Sequence, residues 1–320
     1  MNGIDLAIEN LTSRPVLAFV LGAVAVFVRS DLRLPDPIHT WLSTYLLLAI
    51  GLKGGSALRE VDAGDIAAPV AVTIGFGVIT PLITYAVSRR VLRVSLSDAG
   101  SLAAHFGSVS VVTFTAAIVF ADEAGFSPEG FMTSLVAVLE IPGIIVALVI
   151  VAIRGGDSDW RHALREVITG RSVLLLVGGL VLGGVASDSA FARVEPFFVD
   201  LFTGLLVLFL LDMGATAAER VRRTGVLDRR VVAMGIVLPL LFGVMGVFGG
   251  LIAGLSVGGT AVLATMAASA SYIAAPAATR IALPDANPGL ALGVSLGVTF
   301  PFNLAVGIPV YVALADRIVG

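Results

Sequence analysis

Residues 36–61, DPIHTWLSTYLLLAIGLKGGSALREV, align without a gap on residues 195–220, EPFFVDLFTGLLVLFLLDMGATAAER, setting Pro37 on Pro196, Gly55 on Gly214 and Glu60 on Glu219. The same offset of 159 pairs Pro142, in LEIPGIIVALV, with Pro301, in VTFPFNLAVGI. An offset of 161 sets Ser108-Val109-Ser110 on Ser269-Ala270-Ser271. The chain is written twice, and a duplicated apolar chain is the pattern of membrane carriers built from internal repeats.

Composition points to the same solvent. With 57% hydrophobic residues, 13% charged and a mean hydropathy of +1.00, the chain is more apolar than one soluble core requires. The 36 glycines and 14 prolines suit helices in lipid, where small residues allow close approach and neighbours re-satisfy kinks. There is no cysteine, which removes disulfides and thiolate metal sites. A net charge of -3 and 7% aromatic content give no footing for nucleic acid. Residues 1–14 lack the basic segment and small-residue cleavage site of a secretory signal, so the first span is expected to remain.

Apolar runs of about 20 residues, the length that crosses about 30 Å of hydrocarbon, predict spans near 15–29, 37–58, 66–88, 97–121 and 130–153, then 171–187, 196–218, 231–255, 258–281 and 289–315. The first and sixth are short for a crossing. Five spans per half is an odd number, so two copies enter the bilayer in opposite orientation and both termini lie on one side. The expected architecture is an all-α membrane protein of ten transmembrane helices in two inverted five-helix repeats. Residues 1–153 form the first repeat, 154–170 a cytoplasmic connecting loop and 171–320 the second repeat. Fifteen arginines fall in the connections on one side of this topology and four on the other, with Lys53 set aside as intramembrane. The positive-inside rule then places both termini outside the cytoplasm.

Spans four and nine carry the expected site. The fourth reads SLAAHFGSVSVVTFTAAIVF, with Ser108, Ser110, Thr113 and Thr115; the ninth reads TMAASASYIAAPAATRIALP, with Ser269, Ser271, Tyr272 and then Pro276. A proline inside a span removes one backbone bond and loosens the preceding turn. Two interrupted helices meeting near the midplane would offer hydroxyls, backbone amides and two half-helix N-termini, enough to orient a small monovalent anion. Hydroxyl and carbonyl oxygens also suit a hard cation such as sodium, at Ser110 and Ser271. The substrate-binding set is Ser108, Val109, Ser110, Ser269, Ala270, Ser271 and Tyr272, and the ion-coupling set is Thr113, Glu140, Ser110 and Ser271. The bland alternative is that such hydroxyls bond their own i-4 carbonyls and that small residues serve packing.

Ionisable residues inside a span cost about 2.5 to 3.5 kcal/mol unless paired or hydrated. Lys53 and Asp212 occupy equivalent repeat positions with opposite charge, which predicts a structural ion pair between the second and seventh spans; the alternative is separate snorkelling to an interface. Glu140, two residues before Pro142, is either a titrating coupling site or an acceptor for a loosened helix. His105 either lines the cavity or makes a helix contact. No metalloprotease, nucleophile-elbow, Walker or dinucleotide motif occurs in context, which disfavours an enzyme or an ATP-driven pump.

The stretch AASASYIAAPAATRIALPDANP at 267–288, together with GLKGGSALR at 51–59, HFGSVSVVTF at 105–114 and LEIPGIIVA at 139–147, resembles the sodium-dependent bicarbonate transporters of the cyanobacterial type, in order along nearly the whole chain. The resemblance implies core and gate subdomains, a homotrimer in the inner membrane, sodium-coupled bicarbonate import and elevator-like movement of the core, with the paired serines as anion and sodium contacts. It implies no cofactor beyond the coupling ion. Two departures stand out: the family's aspartate after the serines is Tyr272, and its Gly-Pro-Pro is Ala275-Pro276-Ala277. The first removes a natural sodium ligand. The connecting loop is also shorter than the family's charged insert, which weakens the expectation of a PII-like regulatory partner. The functions left open are sodium-coupled bicarbonate uptake, a proton-coupled carrier of a small organic acid, and a membrane anion sensor.

Overall fold

In a computed structural model the described residues, which are 12–320 except 31, 33, 156–161, 163, 164, 166, 167 and 225–227, form helices and no strand. The first residues of the expected first repeat, and most of the expected loop 154–170 with any regulator contact on it, therefore lie outside the described residues. Helix α1 is Arg14–Phe27, α2 Asp36–Leu58 and α3 Ala63–Val87, which runs on into a π-turn at Ser88–Leu92. Next come α4 Leu96–Gly107, α5 Val111–Glu123, α6 Met132–Glu140 and α7 Pro142–Ile153. The second half holds α8 Arg171–Val185, a short α9 Asp188–Ala192, and α10 Phe202–Thr224, which is preceded by a π-turn at Pro196–Asp200. It ends with α11 Arg229–Ala253, α12 Val257–Ala268, α13 Ala274–Ala282 and α14 Pro288–Val319.

Among the described residues six helical segments are long and apolar enough to cross a membrane: 64–92, 96–123, 132–153, 196–219, 229–253 and 288–319. Three shorter apolar helices, α1, α8 and α12, fall below that length. Helix α2 is long enough at 23 residues. Its His39, Thr40, Ser43, Thr44 and Lys53 make it too polar to join the six.

Packing displays the duplication at atomic scale. A Cβ on Gly22 would stand 1.9 Å from the Leu211 carbonyl oxygen, and one on Gly183 would stand 2.1 Å from that of Leu52. A Cβ on Gly214 would stand 1.9 Å from the Phe19 oxygen, and one on Gly55 would stand 2.1 Å from that of Leu180. At an offset of 161 between α1 and α8 and of 159 between α2 and α10, Gly22 corresponds to Gly183, Leu211 to Leu52, Gly214 to Gly55 and Phe19 to Leu180, so α1 lies on α10 as α8 lies on α2. Small residues let these backbones touch, which holds helices together in lipid where the hydrophobic effect between them is lost.

The fourth span is an interior element. Of its apolar window 89% is buried, against 33% for 64–92. Its start is built like that of the ninth: the Ser95 hydroxyl caps α4 by accepting from the Asp98 amide at 3.0 Å, and the Ser256 hydroxyl caps α12 by accepting from the Gly259 amide at 3.1 Å. The two prolines at equivalent positions act differently. Pro142 begins α7 after a break at Ile141, whereas α14 passes Pro301 unbroken between π-turns at Ser295–Thr299 and Asn303–Gly307. Both outcomes accommodate a missing N–H.

Candidate functional site

Both serine elements interrupt their helices. Helix α4 ends at Gly107, Ser108 is extended (φ -109°, ψ 164°), and α5 begins at Val111. Helix α12 ends at Ala268, Ser269 is extended (φ -83°, ψ 168°), and α13 begins at Ala274. Pro276 thus stands in the first turn of α13, where its missing N–H costs nothing, and the break precedes it.

The breaks are bonded to each other. The Ser110 amide donates to the Ser269 hydroxyl at 2.9 Å, and the Ser271 amide donates to the His105 carbonyl at 2.7 Å. Ser269 in turn donates to the Met266 carbonyl at 2.8 Å. The Ser110 hydroxyl accepts from the Thr113 amide at 3.2 Å and from the Thr113 hydroxyl at 2.8 Å, capping α5. The Ser271 hydroxyl accepts from the Ala275 amide at 3.4 Å. The Ser108 hydroxyl donates to the Glu140 carbonyl at 3.1 Å, drawing the break between α6 and α7 to the same place.

Val109, Ser110, Val111, Glu140, Ser172, Ser271, Tyr272 and Ile273 enclose a crevice of about 10 Å³, room for about one water. Of the expected residues, Val109, Ser110, Ser271, Tyr272 and Glu140 therefore share one space. Ser108, Ser269 and Thr113 support it through the bonds above, and Ala270 is buried beside it. One carboxyl oxygen of Glu140 and the Tyr272 hydroxyl are buried without a hydrogen-bond partner among the described residues. The Tyr272 ring packs edge-on against Phe300 with centroids 5.5 Å apart.

The expected Lys53–Asp212 ion pair is not formed. Asp212 is 5% exposed and is held instead by His39, whose Nδ1 lies 2.6 Å from its Oδ2, while Lys53 is exposed and has no ion-pair partner among the described residues. Equivalence in the repeat does not impose contact: Ser110 bonds Ser269, the counterpart of Ser108, rather than its own counterpart Ser271, and positions 53 and 212 do not meet. They line separate cavities that correspond under the repeat. Ile50, Lys53, Thr133 and Phe198 line one of about 100 Å³, and their equivalents Phe209, Asp212, Leu292 and His39 line the other, of about 310 Å³. The second cavity also touches Tyr272, Ile273 and Pro276.

His105 donates from Nδ1 to the Ser101 carbonyl at 2.7 Å, has its Nε2 buried without a partner among the described residues, and lines a third cavity of about 520 Å³ with Pro276 and Arg280. Ser172, Asn303 and His39 escaped the sequence reading. Asn303 donates to the Ala268 carbonyl at 2.9 Å and so satisfies the end of α12 at the break. An amide side chain within an apolar span was a visible signal for it, and the structure buries it fully; Ser172 carries no such signal. Among the described residues no group of His, Asp and Glu could hold a metal ion.

These features define a multi-pass membrane protein organised around a pair of broken, mutually bonded helices. The chain belongs to the Na+-dependent bicarbonate transporter superfamily, whose family profile matches residues 15–316. A comparison with curated proteins found no match. The family is one of transporters, which is not an enzyme class.

Proposed function

We propose that this chain is a secondary transporter that imports a small monovalent anion, bicarbonate in the first place, coupled to sodium. The observation that carries the reading is the bond between the Ser110 amide and the Ser269 hydroxyl, which joins two helix breaks at equivalent positions. Around it, Val111 at the start of α5 and Ile273 just before α13 line a common crevice, and N–H groups in a first helical turn have no intrahelical partner. Such groups attract an anion through hydrogen bonds and the helix dipole. The Ser110 and Thr113 hydroxyl oxygens, 2.8 Å apart, are hard donors suited to sodium.

The crevice takes about one water, less than a bicarbonate ion needs, so this arrangement is a closed one and loading requires Tyr272 to withdraw. In our reading ten spans form two inverted five-helix repeats, with both termini outside the inner membrane. The broken helices move as an elevator against α1, α2, α8 and α10, in a homotrimer. The reciprocal glycine contacts support the repeat. A second reading, a proton-coupled carrier of a small organic acid, is favoured by the unpartnered buried oxygen of Glu140 at the crevice.

Labelled bicarbonate uptake into proteoliposomes, with sodium, potassium and pH gradients imposed separately, distinguishes the readings. Sodium-driven uptake is expected. Uptake driven by protons alone would transfer the assignment to the second reading, and saturable binding without uptake would leave an anion sensor.

A further inference from the structure

We propose that His39 and Asp212 form a proton-binding site that sets the charge of the cavity beside Tyr272 and thereby governs anion passage through it; the part concerning passage rests on the transport reading above. Asp212 is almost fully buried, and its carboxylate accepts a hydrogen bond from His39 Nδ1 at 2.6 Å. That bond leaves Nε2 of His39 to take up a proton. The side chain of His39 is 35% exposed and lines the cavity described above, and its ring stacks on Phe209 with centroids 5.3 Å apart. With neutral His39 the pair carries one negative charge; with Nε2 protonated it carries none.

The location gives that charge a target. The cavity of about 310 Å³ that the pair lines is also lined by Tyr272 and Ile273, which bound the crevice between the broken helices. An anion using this cavity meets a carboxylate whose charge is cancelled only when His39 is protonated. The corresponding cavity around Lys53 has no histidine in its lining, so the two mouths differ chemically although the backbone repeats.

Few other charges compete among the described residues. Asp36 of α2 and the Tyr272 phenol share the cavity. Helix α14 presents Leu292 and Leu296 there, and Arg280 of α13 lines the neighbouring cavity. Helix α1 is uncharged between Arg14 and Arg29, while Asp200 lies in the π-turn before α10 and Glu219 toward the far end of α10.

The test uses the full-length chain. The sequence contains only three histidines, so NMR of ring-labelled protein resolves His39 by comparison with His39→Gln. The ring nitrogens of His39 are expected to report proton uptake at Nε2 while Nδ1 keeps its hydrogen bond to Asp212, and the Nδ1 hydrogen-bond shift is expected to be lost in Asp212→Asn; no proton uptake at Nε2, or an Nδ1 signal unchanged in Asp212→Asn, overturns the proton site whatever the protein transports. In proteoliposome uptake measured over a range of bicarbonate concentrations, His39→Gln is expected to raise KM about tenfold, the scale of one uncancelled charge in a partly hydrated site. His39→Gln/Asp212→Asn is expected to restore KM and abolish its pH dependence. A double variant that keeps the wild-type pH profile overturns control of passage. Absence of bicarbonate uptake in the wild type, with the NMR shift present, removes the transport reading and leaves the proton site standing.

Discussion

The amide of Ser110 and the hydroxyl of Ser269, 159 residues apart, are joined at 2.9 Å. At the offset of 161 that aligns the two serine elements Ser269 is the counterpart of Ser108, so the bond joins the second serine of one element to the first serine of its copy. It lies where both helices are broken, which makes it the reference point for the mutations below.

Ser110→Ala and Ser271→Ala remove hydroxyls that cap the first turns of α5 and α13 beside the crevice. Each is expected to raise KM for the transported anion while leaving assembly intact, as read by uptake kinetics and size-exclusion chromatography. Unchanged transport constants in both would remove these serines from the site.

Ser269→Ala strands the buried Ser110 amide. Leaving a buried donor unpaired costs about 1–3 kcal/mol. A lowered thermal midpoint is therefore expected, and a midpoint equal to that of the wild type would show that the bond is dispensable.

Gly55→Ala and Gly214→Ala drive a Cβ to 2.1 Å and 1.9 Å from carbonyl oxygens of α8 and α1. Overpacking of this kind costs about 1–3 kcal/mol, and the two losses should be similar because the sites are equivalent. Gly75→Ala and Gly178→Ala meet nothing within 4 Å and serve as controls, with no loss expected. Equal stability of all four variants in thermal denaturation would refute the close packing.

Glu140→Gln keeps shape and removes charge. Under sodium coupling it is expected to retain sodium-driven uptake, because Glu140 contributes a backbone carbonyl to Ser108 that the substitution preserves. Loss of all driven uptake would favour the proton-coupled carrier.

Lys53→Met is expected to change stability little, since Lys53 is exposed and without an ion-pair partner among the described residues. His39→Gln, which weakens the hold on buried Asp212, should destabilise by about 1–3 kcal/mol. The reverse order in thermal denaturation would return Lys53 to a structural role.

Much of the fold was legible because it is written as local pattern. Apolar runs marked the helices, and two S-x-S elements in small-residue surroundings marked the breaks. The charge pairing was not legible. Repeat arithmetic placed Lys53 and Asp212 at equivalent positions, but equivalence is a relation of sequence and contact is set by which helices pack together. His39 reached Asp212 because α2 and α10 pack together there. The role of Ser172 was hidden for the same reason: nothing near it in the chain distinguishes it from a packing serine.

The amino-acid sequence by itself determined a duplicated, helical, lipid-seeking chain and the positions at which its helices give way, since hydropathy, helix-breaking residues and internal repetition act over short stretches. Tertiary structure alone decided which polar groups meet, which cavities they line, and that Asp212 answers to histidine rather than lysine. Those outcomes depend on how helices distant in sequence cross, and crossing is set by the summed fit of whole helix surfaces.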